Sequence, residues 1–143
     1  MTRIDFYHGA ANKAQSACRL ISALHAEGRK VLVYAPEEGL ATQIDRLLWM
    51  QPATGFVPHC RADSPLAAET PILIGGGPLD DAAHHDVLVN LDGELPPAFS
   101  RFEQLVEIVG VDEADRQPAR IRFKFYRDRG YAITSHDLAR SGA

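Results

Sequence analysis

The chain has 143 residues, of which 45% are hydrophobic and 24% charged, and a formal net charge of −4. This composition suits one soluble domain over residues 1–143, with a core that needs no disulfide or metal staple. Cys18 and Cys60 make no disulfide framework, the N-terminus has no apolar leader, and no run nears the roughly 18 apolar residues of a membrane span, so secretion and membrane insertion are set aside and a cytoplasmic location is expected.

The first half alternates strands and helices. Arg3–Tyr7 reads as a short strand, and Lys30–Tyr34, bounded by Gly28 and Pro36, as a stronger one. Between them Ala17, Leu20, Ile21 and Leu24 form the apolar stripe of a helix from about Asn12 to Glu27. Strand, helix and strand at this spacing make a βαβ unit, which implies parallel strands. A second helix from Glu37 or Glu38 to Met50 carries Leu40, Ile44, Leu47 and Leu48 and is stopped by Pro52. Pro71–Gly75, Val87–Leu91 and Leu105–Val109 read as further strands, with Leu91–Ala98 as loop. Arg120–Phe125 alternates polar and apolar like a strand, but Arg116, Arg120, Lys124 and Arg127 also align as a cationic ridge if the segment is a helix. Asp112 would cap such a helix and Gly130 would end it, while Pro118 opposes a straight start. Periodicity leaves both readings open.

Signals for catalysis are poor. The dinucleotide fingerprint and the phosphate loop with its lysine are both missing. Gly75-Gly76-Gly77 follows a strand but runs into Pro78-Leu79-Asp80-Asp81, whose acids would repel phosphate, so a tight turn is expected. His59-Cys60 and His84-His85 lack metal-ligand spacing, and a nucleophile pair of Cys60 with either histidine needs a proximity that the sequence does not supply. No catalytic residue, metal or cofactor is expected.

Two features point to binding instead. From Arg116 to Arg129 six cations face only Asp128, so this segment is +5 and the rest of the chain −9. A local basic site on an acidic body suits a compact acidic partner better than a long duplex. On a helical wheel Phe123 falls about 20° from Arg116, which sets an aromatic beside the cations. Trp49, the only tryptophan, falls about 180° from Leu40, away from the core stripe. With Pro52, Phe56 and Pro58 it could form an apolar interface patch, or the following loop could cover it.

These two segments carry a family resemblance. Ile44-Asp45-Arg46-Leu47-Leu48-Trp49, followed by Pro52 and Phe56-Val57-Pro58-His59, resembles the central signature of the chi subunit of bacterial DNA polymerase III. Arg120, Phe123-Lys124, Tyr126-Arg127 and Gly130-Tyr131 resemble its C-terminal signature, and Phe6-Tyr7 and Gly28–Val33 also match in place. The resemblance implies an α/β, Rossmann-like three-layer fold: a mostly parallel sheet flanked by helices, with no nucleotide-binding loop. It also implies a non-catalytic, clamp-loader-associated subunit, and it makes Ala119–Gly130 a helix. Such a subunit links the psi subunit to the acidic tail of single-stranded-DNA-binding protein, which ends in Pro-Phe. The tail positions match Arg116, Arg120, Phe123 and Lys124. The psi positions match Trp49, Pro52, Phe56, Pro58 and His59, a surface that a repair helicase shares in some members. Single-stranded DNA is then met only indirectly; the alternative is that the basic helix binds it directly. Phe123 departs from the family where a tyrosine can stand, and Arg61–Thr70 shows no match.

Overall fold

The computed structural model describes residues 2–50, 57–76, 84–96 and 98–141. Seven strands, β1 (Arg3–Ala10), β2 (Val31–Tyr34), β3 (His59–Arg61), β4 (Ile72–Gly75), β5 (Val87–Asn90), β6 (Gln104–Gly110) and β7 (Ile133–Asp137), form one sheet in the order β3-β4-β2-β5-β6-β1-β7. Every pairing among them is parallel. The helices are α1 (Lys13–Ala26), α2 (Glu38–Trp49), α3 (Glu113–Asp128) and the short α4 (Leu138–Ser141).

The central strands are apolar throughout because both faces are covered, the usual condition of parallel strands. Val31, Val33, Ile72, Ile74, Val87 and Val89 point to one side, where they meet Ala17, Cys18 and Ile21 of α1 and Ile44 and Leu48 of α2. Leu32, Leu73 and Leu88 point to the other, in a cluster with Phe6, Leu105, Ala119 and Tyr126 that seats α3. Two layers of helix thus enclose the sheet, the three-layer arrangement expected. Asn12 caps α1, its side chain accepting from the Gln15 amide at 3.1 Å.

Several expectations need correcting. The last segment is a helix, as the resemblance implied for Ala119 onward; it starts at Glu113, directly after Asp112, and the proline that opposed a straight start leaves it unbroken at Pro118. Asp112 holds its N-cap position, but its side chain makes no capping bond; its carbonyl accepts from the amides of Asp115 and Arg116 instead. The helix stops where Gly130 adopts φ +83°, a left-handed conformation that suits glycine, and the Tyr131 amide reaches back to the Tyr126 carbonyl at 3.1 Å. Two strands escaped the sequence reading: β3, with three residues, and β7, whose Thr134, Ser135 and His136 give little hydrophobic signal. A Cβ on Gly76 would collide with Pro36, so close packing explains the glycine there. Gly77, Pro78, Leu79, Asp80 and Asp81 lie outside the described residues.

Candidate functional site

The chain leaves β1 for α1 on one face of the sheet and leaves β6 for α3 on the other. Because β1 and β6 are neighbours, their carboxyl ends form the switch point where open α/β sheets characteristically take ligands. A groove of about 600 Å³ opens there. Phe6, Val109, Ala119 and Phe123 give it apolar surface, His8 and Ser135 stand on the strand side, and Arg116, Arg120, Lys124 and Arg127 line the helix side. No acidic residue is among those lining it. All four sequence-predicted tail residues, Arg116, Arg120, Phe123 and Lys124, therefore meet in one concavity. Pro118 does not displace Arg116 from it.

Phe123 is half-buried and stands edge-on to Phe6, ring centres 5.2 Å apart, which fixes it at the groove floor. The cations are less free than their sequence suggests. Arg120 reaches Glu113 at 3.1 Å, Lys124 reaches Asp128 at 3.1 Å, and Arg127 lies 3.7 Å from Asp128. These are exposed pairs, worth about 0–1 kcal/mol, so an incoming carboxylate can displace them.

Arg122, counted with the basic segment, plays a different part. It is 3% exposed, and its Nε donates to Glu107 Oε2 at 3.1 Å beneath α3. Tyr126 donates its hydroxyl to the same oxygen at 2.7 Å, and Asn90 donates to Glu107 Oε1 at 2.9 Å. Burial pushes the Glu107 carboxyl above the ordinary carboxylate range, while the Arg122 guanidinium and the donated bonds pull it back. Burial and the neighbouring carboxylate push the Tyr126 phenol far up, which keeps it a donor. Arg122 also donates to the Gly93 carbonyl at 2.7 Å. The network clamps α3 to β5, β6 and the loop after β5, and so sets the position of the ridge above it. Arg122 thus leaves the surface count: the solvent side of α3 holds fewer cations than the segment total implies.

The aromatic patch lies near the other edge of the sheet. Trp49, at the end of α2, is 60% exposed, as its place on the wheel implies. Its ring stands edge-on to His59 at 4.8 Å. His59 is buried on β3, where its Nδ1 meets the Val57 carbonyl at 2.7 Å and its Nε2 lies 3.3 Å from Asp45. It therefore supports Trp49 from beneath rather than facing solvent. Pro58 is half-buried; Pro52 and Phe56 lie outside the described residues. His84 is buried with its Nε2 on the Thr70 carbonyl, and His85 packs against Phe102 at 5.5 Å. Among the described residues no group of three or more His, Cys, Asp or Glu could hold a metal ion. No described helix is long and apolar enough to cross a membrane.

Sequence reasoning missed Phe6, His8 and Ser135 as groove residues, because only long-range strand pairing brings β1 and β7 beside α3.

Comparison with known proteins agrees with the resemblance. The family model described as DNA polymerase III chi subunit, HolC, matches residues 1–134. The chain is 35% identical to the DNA polymerase III subunit chi of Pseudomonas aeruginosa over 98% of its own length and 99% of the relative's. It is 31% identical to that of Haemophilus influenzae, covering 85% of each. Identity to that of Escherichia coli is 27%, over 89% of this chain and 86% of the relative.

Proposed function

The chain belongs to the DNA polymerase III chi subunit family, and from this premise we propose that it is a non-catalytic accessory subunit that ties the clamp loader to single-stranded-DNA-binding protein. One contact is with the acidic C-terminal tail of that protein, at Arg116, Arg120, Phe123 and Lys124. The other is with the psi subunit, at Trp49, Pro52, Phe56, Pro58 and His59, a surface open to a repair helicase as well.

The observation that carries the tail reading is the chemistry of the groove. Four cations face an apolar floor, with no acid among the lining residues. A peptide that ends in an aromatic residue with a free carboxylate needs both parts of that surface at once. The terminal ring packs on Phe123 and Phe6, and a guanidinium fork takes the carboxylate, in two parallel bonds where geometry allows. Acidic residues upstream exchange with Glu113 and Asp128 for Arg120 and Lys124. Direct binding of single-stranded DNA at this groove is less well supported, since Phe123 is held edge-on to Phe6 rather than offered as an open stacking platform.

Titration with an acidic peptide ending in Pro-Phe, as the free acid and as the C-terminal amide, tests this reading, with oligo-dT as competitor. The free acid is expected to bind at least about tenfold tighter, the scale of one charge-assisted contact, and to ignore oligo-dT. Equal binding of acid and amide, or displacement by oligo-dT, would remove the tail from this groove.

A further inference from the structure

A second cationic cleft lies at the opposite, amino ends of the same two strands. It encloses about 650 Å³, with Arg3 from the start of β1, Arg29 from the turn after α1, and Arg101 from the helical turn before β6. Glu103 is the one acid among its lining residues, and Asp5 stands behind Arg3, so three guanidiniums face two carboxylates and the cleft stays cationic. Along β1 its Arg3 lies about 10 Å from Phe6 and about 20 Å from Gly9, the nearest and farthest β1 residues of the groove at the carboxyl ends.

We propose that this cleft is an anion site for the phosphodiester groups of single-stranded nucleic acid. Three arginines from three separate elements converge on it, and the planar donor fork of a guanidinium matches phosphate. Arg29 donates to Gln104 Oε1 at 3.3 Å, and Arg3 lies 3.5 Å from the buried Asp5. These contacts hold the two side chains in place and engage only part of their donor capacity. The cleft also lacks what a peptide terminus would require. Its one aromatic, Phe102, is 2% exposed and sealed beneath, so no apolar anchor and no base-stacking surface is offered. Such a site reads charge alone, which fits a repeating phosphate backbone. A flexible strand can lay a few phosphates into a concave cleft, which a straight duplex spans without entering. The proposal concerns a different site from the groove and stands whatever occupies that groove.

Fluorescence anisotropy with a labelled oligo-dT and with an abasic phosphodiester of equal length tests it on the full chain, from about 50 to about 200 mM salt. With two or three phosphates engaged, binding should fall with a log–log salt slope of about −1.4 to −2.1. Arg3→Gln/Arg101→Gln should weaken binding about fivefold or more and flatten that slope. Arg116→Gln/Arg120→Gln should leave it within about twofold, and the abasic strand should bind within about twofold of oligo-dT. Circular dichroism checks that the variants fold; should the double variant not fold, Arg101→Gln alone, on an exposed turn, decides by a loss of about twofold or more. Wild-type affinity in the cleft variant would overturn the proposal. So would loss of binding in the groove variant, a strong preference for oligo-dT over the abasic strand, or no wild-type binding at low salt.

Discussion

Removing Arg122 should unsettle the whole α3 face while leaving every surface cation in place. Arg122→Ala takes the guanidinium from Glu107, which is 0% exposed, and leaves a buried carboxylate held only by Tyr126 and Asn90. It also frees the Gly93 carbonyl and opens a void under the helix. Breaking one side of a buried ion pair typically costs about 3–5 kcal/mol. Against a total stability of about 5–15 kcal/mol this is a large fraction, and it corresponds to a fall in Tm of roughly 6–20 °C. Urea denaturation at several pH values is the assay. Burial already lifts the Glu107 carboxyl, and loss of the guanidinium lifts it further. A carboxyl whose folded-state pKa lies above its unfolded value holds its proton more tightly when folded. The variant's stability should therefore be fullest below the unfolded carboxyl value and fall as pH rises from there through the raised folded value, so the deficit against wild type grows as pH rises from acid toward neutral. Glu107→Gln/Arg122→Met, which removes both charges, should be less destabilised than either single change. A loss below about 1 kcal/mol for Arg122→Ala, or a double variant as unstable as the singles combined, would refute the role given to this pair.

Three further outcomes follow from the same geometry. Glu113→Gln removes the exposed partner of Arg120 and should raise affinity for the acidic peptide by up to about fivefold, at a stability loss of no more than about 1 kcal/mol; unchanged or weaker binding in isothermal titration would count against Arg120 as a contact. Trp49→Ala should weaken psi binding by about 2 kcal/mol or more and leave peptide affinity unchanged, measured by co-purification and titration on the same preparation. Native protein should show one accessible thiol: burial pushes Cys18 up to about 12 and shields it fully, whereas Cys60 is only partly buried, so equal reaction rates with a thiol reagent would contradict the packing of α1.

The sequence made the central strands legible because apolar runs such as Lys30–Tyr34 and Pro71–Gly75 belong to a sheet covered on both faces. The apolar stripes of α1 and α2 were equally plain, and Trp49 stood out by facing away from its stripe. Edges and ends were harder. The outer strand β7 is half-solvated and polar, so its identity comes from pairing with β1, more than a hundred residues earlier. Pro118 opposed a straight start to the last helix, but packing of Ala119 and Tyr126 outweighs the one backbone bond that a proline removes. Arg122 looked like another surface cation. Its spacing from Ala119 and Tyr126, three residues before and four after, was a signal that it faces the sheet, and Glu107 inside an apolar strand was the signal for its partner. The helix side of the groove was legible because a single helix carries Arg116, Arg120, Phe123 and Lys124; the strand side was not, because three distant segments build it.

The central claim is that one small protein holds two partners at once. The groove beside β1 and the Trp49 patch beside β3 are five strand spacings apart, about 24 Å, on opposite parts of the sheet. Titrating the labelled acidic peptide into the preformed complex with psi tests this directly. The account predicts one peptide per complex, bound within about twofold of its affinity for the free subunit. Release of psi by the peptide, or a peptide that binds only the free subunit, would contradict it.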